Sequence, residues 1–361
     1  MRIGLLIYGS PDTLSGGYLY DRKLVEYLRE AGDSVEIVSL PWRNYTAHLT
    51  DNFSARLYRW LRDLRVDVLL QDELNHPSLA LLNRRLRRRY RMVGIVHHLR
   101  SNERHPRWLL PLYRAIERSY LRTLDGFIFN SRTTQQAVEA LRGEIGALPS
   151  VIAYPAADHL AVPDDGAAAE LVRAREDNSG PLRVLFVGNL IPRKGLHHLI
   201  AALSRLPPSD WQLNVVGDDT VDRGYSAGLR RQIAAGGLED NICLRGRVSD
   251  RELAQEYRAA HVLAVPSSYE GFGIVYLEGM AYGLPVLAGV QGAGGELVRP
   301  DVNGFLVEPG DAHGIAGHLS ALAGDRRRLA ILGRNARRRF DSHPRWADSA
   351  AAVRQFLVSS F

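Results

Sequence analysis

The densest chemistry in this 361-residue chain lies in SSYEGFGIVYLEGMAYGLPVLA, residues 267–288. Glu270 opens a loop holding Gly271, Phe272 and Gly273, and Glu278 follows eight residues later, inside a helix expected to begin near Ile274. Glycine lets backbone come close to a ligand, and the unpaired N–H groups at a helix start favour an anion. A phosphate placed there meets the amides of Gly273, Ile274 and Val275. The two carboxylates then accept hydrogen bonds from hydroxyls on either side of it, a layout suited to a sugar–diphosphate–ribose ligand. A plainer reading stays open, with Glu270 as a cap, the glycines as loop residues and Glu278 on a solvent-facing helix side.

A second cluster is VGNLIPRKG, residues 187–195. Arg193 and Lys194 stand side by side in a strand-to-helix turn, and a forked guanidinium beside a point-charge ammonium suits a diphosphate that becomes a leaving group. Lys23 and Lys194 are the only lysines among 46 basic residues, so this one stands out. In the first half, Gly16 and Gly17 occupy the matching turn, where amides at a helix start offer another phosphate contact. His97 ends the run MVGIV and so sits at the carboxyl end of a strand; a buried histidine satisfied by backbone is the alternative. His98 is expected to turn elsewhere, and His197 and His198 to be structural or solvent-facing.

These residues need a frame. Short apolar runs alternate with amphipathic stretches throughout, at 3–8, 34–40, 66–70, 92–96, 126–130 and 150–154, then at 183–188, 212–217, 241–246, 261–266, 284–289 and 304–307. Runs apolar throughout, separated by helical patterns, predict parallel strands covered on both faces. The expected fold is α/β, with two Rossmann-like doubly wound domains facing across a cleft, residues 1–160 and 182–342. Residues 161–181 read as a linker with one helical turn, and 343–361 as a helix packing back on the first domain. Trp346 is expected at that crossing, Arg337–Arg339 on a solvated face, and Cys243 in the core.

The combination N-L-x-x-x-K-G at Asn189–Gly195, Gly217–Asp218 after a strand, R-G-x-V at Arg245–Val248 and E-x₇-E at Glu270–Glu278 resembles the retaining glycosyltransferases of family 4, which have the GT-B fold. The tail from Gly292 to Val307 continues the likeness, and Gly16–Gly17, the VHH at 96–98 and FNS at 129–131 extend it into the first half. The resemblance implies a nucleotide-sugar donor held by the second domain. Glu278 would then bind the ribose, Glu270 the donor sugar, Arg193 and Lys194 the diphosphate, and Arg247 with Val248 the base. His97 would stand beside the donor sugar, and a hexose would pass to a hydroxyl acceptor with retention. UDP-sugars are the first expectation and GDP-mannose the second. No D-x-D occurs, so no metal and no separate cofactor are expected. Rival readings are a sugar-nucleotide epimerase, a phosphorylase, or a non-catalytic sugar-nucleotide binder.

Composition bounds the rest. Residues 1–160 hold 23 basic and 17 acidic residues, whereas the remainder is balanced, so the net +6 belongs to the first half. Twelve arginines fall in 84–122, interleaved with Tyr90, Trp108, Leu109, Leu110, Leu112, Tyr113 and Tyr120. Such a stretch suits an anionic membrane surface and a lipid-linked acceptor, or else a helix that buries its apolar stripe under arginines. No nucleic-acid-binding module surrounds it, so no nucleic acid partner is expected. A single cysteine excludes a disulfide framework, and no run approaches the roughly 18 apolar residues of a membrane span. The expected location is cytoplasmic, with peripheral contact at the inner membrane face left open.

Overall fold

The computed structural model describes residues 1–13, 15–87, 89–103, 105–143 and 148–361, and Arg88 and Arg104 of the basic stretch lie outside them. Two compact units emerge: residues 1–155 with 344–361, and residues 156–343.

The first unit carries β1 (Arg2–Tyr8), β2 (Ser34–Leu40), β3 (Val68–Asp72), β4 (Arg91–Val96), β5 (Gly126–Phe129) and β6 (Ser150–Ile152). They form one parallel sheet in the order β2-β1-β3-β4-β5-β6. Apolar side chains such as Leu5, Leu6, Val68, Leu69, Val93 and Phe127 are almost wholly buried, as parallel strands require. Each contributes about 1.5–3 kcal/mol relative to exposure. The order reverses direction between β1 and β3, and ligands of open α/β sheets bind at such a switch point, beyond the strands' carboxyl ends.

Helix Gly16–Glu30 starts where the Ser15 side chain accepts from the Tyr18 N–H, and Arg29 lies in its final turn. Its buried stripe is Tyr18, Leu24, Val25 and Leu28, with Asp21 set among them. Helix Trp346–Ser360 joins this unit. Ser349 Oγ donates to Tyr154 O at 2.6 Å, Arg354 pairs with Asp33 at 2.7 Å, and Trp346 meets Tyr20 edge-on. The packing role read for Trp346 holds.

The second unit carries β7 (Leu182–Val187), β8 (Trp211–Val216), β9 (Ile242–Gly246), β10 (Val262–Val265), β11 (Val286–Gly289) and β12 (Gly304–Val307). The sheet order is β12-β11-β10-β7-β8-β9, which read from the unit's own first strand is the Rossmann order 3-2-1-4-5-6. Its switch point lies between β7 and β10. The loops leaving those two strands hold Arg193, Lys194 and Glu270.

Several expectations are corrected. The stretch read as a linker contains a three-turn helix, Asp165–Glu176, capped by Asp164. Alanine-rich sequence has high helix propensity, and Ala168, Val172 and Arg175 bury one face. Arg175 is 2% exposed and, among the described residues, pairs with no carboxylate. It donates instead to the carbonyls of Ala260, Tyr282 and Gly283 at 2.7, 2.7 and 3.1 Å, and to those of Tyr257 and Arg258. These are the unsatisfied acceptors where helices Asp250–Ala259 and Ile274–Ala281 end.

Cys243 is exposed rather than core, because β9 is an edge strand whose outward positions meet solvent. Arg337 is half-buried and donates to Pro163 O and Ala281 O. The third strand runs two residues later than expected, since pairing starts with Val68 opposite Ile3 and carries on through buried Gln71 and Asp72. Among the described residues, no helix is long and apolar enough to cross a membrane.

Candidate functional site

In the second unit, the turn after β7 brings Arg193 and Lys194 against the loop after β10. Lys194 Nζ lies 2.5 Å from Glu270 Oε1, and Arg193 Nη1 lies 3.5 Å from Glu270 Oε2. Arg193 also donates to Tyr269 O at 2.7 Å, and Ser267 Oγ donates to Glu270 Oε1 at 2.7 Å. The motifs read separately in sequence thus form one ion triad with a net positive charge. Burial alone would raise the Glu270 carboxyl, but Lys194 and Arg193 outweigh it and hold it down at about 2. Burial lowers the Lys194 ammonium against the pull of Glu270, with Arg193 adding to the lowering.

Backbone geometry fixes the triad. Gly195 has φ 75°, and a Cβ there would lie 2.2 Å from Pro266 O, so β7's loop packs directly on β10's. Glu270 is tied from the other side by Ala293 N–H, which donates to its carbonyl at 2.8 Å. Gly273, at φ 91°, begins helix Ile274–Ala281, and a Cβ there would strike the Tyr276 ring at 2.3 Å. Ile274 and Val275 open this helix half-buried, and Gly271 precedes it. Phe272 turns its ring inward, 3% exposed against His343.

Glu278 is 6% exposed and not on a solvent face. Tyr257 OH donates to its Oε2 at 2.6 Å, and His159 Nε2 stands 3.3 Å from Oε1. Arg247 follows β9 with an open side chain and faces Asp218 at 3.6 Å, while Val248 is half-buried beside it. The carboxyl ends of β9, β8, β7 and β10 therefore present Arg247, Asp218, Arg193–Lys194 and Glu270 in one row.

The first unit holds the other expected residues. Gly16 and Gly17 are the first two residues of their helix. A Cβ on Gly17 would sit 3.1 Å from His97 Cδ2, so the missing side chain is what admits the His97 ring. The His97 backbone is clamped, its N–H donating to Glu73 Oε2 at 2.7 Å and its carbonyl accepting from Asn130 at 2.8 Å. Nε2 lies 3.6 Å from Asp21 Oδ1. Burial alone would lower the imidazole, but Asp21, Glu73 and Asp72 outweigh it and raise His97 to about 9. Burial, with Asp21 beside it, pushes Asp72 up to about 7; burial and Asp72 raise Glu73 well above its ordinary value. Asp21, Asp72 and Glu73 were not among the expected site residues, nor were Tyr257, His159 and Ser267.

His98 turns away as expected, with Nε2 3.1 Å from Glu103. It joins Trp42, Arg43, Tyr45, Arg100 and Glu103 in lining a cavity of about 300 Å³ beyond the ends of β1 to β4. The Arg100 guanidinium lies over the Tyr45 and Tyr113 rings at 4.9 and 5.0 Å, a cation–π pairing rather than an ion pair.

Two family descriptions match. "Glycosyl transferases group 1" covers residues 169–339, and "Glycosyltransferase Family 4" covers residues 19–160. The chain is 29% identical to the phosphatidyl-myo-inositol mannosyltransferase of Mycobacterium leprae, over 94% of this chain and 93% of that protein. It is 38% identical to the D-inositol 3-phosphate glycosyltransferase of Xylanimonas cellulosilytica, over 53% of this chain and 46% of that protein, so this second match spans less than half the relative. Among solved structures, sucrose-phosphate synthase from Thermosynechococcus elongatus superposes with TM-score 0.79 at 23% identity, covering 99% and 98% of the two chains. HepE of Anabaena, in complex with UDP, gives 0.78 at 22%, covering 99% and 100%. At these identities the structures speak for the fold.

Proposed function

The chain belongs to the family 4 glycosyltransferases, with the GT-B fold, and from that premise we propose that it moves a hexose, mannose first, from a nucleoside diphosphate to a hydroxyl acceptor with retention. The ion triad of Arg193, Lys194 and Glu270 at the Rossmann switch point carries this reading. A diphosphate there finds two cations and the amides at Gly273–Val275, and Glu270 stays ionised to accept from sugar hydroxyls. Glu278 receives the ribose, and the backbone near Arg247 and Val248 the base. In the transfer the bond from C1 to the phosphate oxygen breaks and the bond from C1 to the acceptor oxygen forms. The acceptor proton passes to the departing phosphate oxygen. Arg193, Lys194 and the helix amides stabilise the charge that develops on the leaving group.

The order of donors shifts from the expectation that put UDP first. Several relatives are described as GDP-mannose-dependent or as mannosyltransferases, so GDP-mannose now leads and UDP-sugars follow. For the acceptor, the relatives' descriptions name inositol phosphate and phosphatidylinositol species. In the first-unit cavity Trp42 offers a ring face and Arg100 a cation for a phosphorylated polyol or its lipid form, while Arg43 already pairs with Asp51 and Glu73 and Glu103 also line the wall. Trp108 at 77% and Leu112 at 49% exposure, at one end of helix Leu110–Leu121, would rest on an anionic membrane.

Specific donor binding raises thermal stability by mass action. In a panel of GDP-, UDP- and ADP-sugars, GDP-mannose is expected to give the largest rise in Tm, and turnover of it in EDTA is expected to match turnover with added Mg²⁺. A panel in which no nucleotide sugar shifts Tm removes the donor site. Donor binding without transfer to any polyol or lipid acceptor would favour the non-catalytic reading.

A further inference from the structure

Helix Gly16–Glu30 places one polar side chain in its buried stripe, and the surroundings of that side chain say what it is for. Asp21 is 0% exposed, and among the described residues neither carboxylate oxygen has a hydrogen-bond partner. His97 Nε2 is buried and equally without one, and it faces Asp21 Oδ1 at 3.6 Å. A buried carboxylate left without a countercharge is strongly disfavoured. Among the described residues no lysine or arginine forms an ion pair with Asp21, and the imidazole is the one group within ion-pair distance.

We propose that Asp21 is a positioning residue that holds His97 as an imidazolium, Nε2–H toward Asp21 and Nδ1–H toward substrate. The ring is packed on several sides. Its backbone is clamped by Glu73 and Asn130, Tyr20 meets it edge-on at 5.3 Å, and the Gly17 backbone closes the third side. Nδ1 makes no hydrogen bond within the described residues, so it is the nitrogen left to donate. The charged groups facing the ring are Asp21 from the helix, Asp72 at the end of β3 and Glu73 just beyond it. Tyr18 and Tyr20 of the same helix and Tyr120 of helix Leu110–Leu121 are the neighbouring phenols. His98, the next residue of the same loop, faces Glu73 with Nδ1 3.9 Å from Oε1; among the described residues no lysine or arginine pairs with these three carboxyl groups, and His97 is the imidazole that faces Asp21.

A fixed imidazolium would give the reaction a donor that neither loses its proton at neutral pH nor withdraws one from the sugar. Its use in transfer rests on the glycosyltransferase reading, but its charge state does not. The alternative occupant is a divalent cation, because one ligand atom each from Asp21, Asp72 and His97 falls within 4.8 Å of the others. The proton is favoured because Asp72 Oδ1 already accepts from Leu74 N–H, and one proton on the ring supplies the countercharge Asp21 needs.

The test is a pH titration of the full chain with isotopically labelled histidine, the His97 resonances being assigned by loss in His97→Gln. Without any substrate, His97 is expected to keep imidazolium shifts beyond pH 8. In Asp21→Asn its titration should fall by about one to three pH units, the effect of removing an opposite charge at this range. The alkaline limb of kcat should move down with it, and Asp21→Glu should restore part of the shift. A His97 that is neutral at pH 7 in the unmodified chain overturns the proposal, even if Asp21→Asn does not fold. So does an Asp21→Asn protein with an unchanged titration, and so does stoichiometric zinc or manganese that this variant loses. Because the titration uses no donor, a protein without transferase activity can still pass it, and an active transferase can still fail it.

Discussion

At Glu270 the ordinary contest between burial and charge is won by charge. Burial favours the neutral acid, yet two adjacent cations keep the carboxylate ionised down to about pH 2. The sign of the consequence follows. The folded value lies below the unfolded one, so the stability it contributes is complete above about pH 4.5 and is lost as pH falls toward 2. Glu270→Gln is therefore expected to flatten the fall in urea midpoint between pH 5 and pH 3, and an unchanged slope would contradict the ion triad. Lys194→Ala is expected to lower kcat by about 10²–10³-fold, the typical cost of deleting one preorganised group facing developing charge. Initial rates at saturating donor measure it, and wild-type rates would remove Lys194 from the diphosphate role.

At the scale of elements, much was legible. Each of the twelve described strands overlaps an apolar run, the third displaced by two residues, because parallel strands covered on both faces need continuous hydrophobic sequence. The triad was legible through chemistry: one of only two lysines in an arginine-rich chain, and glycines at turns where Gly195 and Gly273 have positive φ. What escaped were groups whose meaning depends on distant neighbours. Asp21 interrupts an apolar stripe and looks like a flaw until His97 is beside it. Asp72 and Glu73 read as the polar end of a strand. Tyr257 gives no local sign that it will meet Glu278 from 21 residues away.

Helix Asp165–Glu176 was hidden by its composition, since alanine and acid make linkers as well as helices. Its Arg175 supports a prediction of its own. Arg175→Met removes donors from five buried or half-buried carbonyls, and at about 1–3 kcal/mol for each acceptor left unsatisfied the second unit should lose several kcal/mol, read as a large fall in Tm. Arg175→Lys should recover little, because three donors on a point charge cannot span a planar fork.

For the molecule as a whole, charge divides by unit. The basic excess lies in residues 1–160, while the proposed donor site draws on two cations, Arg193 and Lys194, of a balanced second half. Salt should separate the two. Donor affinity is expected to depend weakly on ionic strength, because the triad is buried, whereas binding to anionic vesicles should vanish within a few hundred millimolar salt as exposed arginines are screened. Flotation at 20 and 300 mM NaCl checks this, and Trp108→Ala should weaken binding at the lower concentration. Vesicle binding that persists at high salt, or none at low salt, would separate the arginine stretch from any membrane role.

The carbonyls that Arg175 satisfies come from residues 82 to 108 positions further along the chain. A ribosome that has released residue 175 has made a guanidinium whose acceptors do not yet exist. Until Gly283 emerges, that cation stays in water and its helix has no reason to dock. Docking of helix Asp165–Glu176 is therefore expected to come late, after residues 257–283 have been made, with a rate set by that long loop closure.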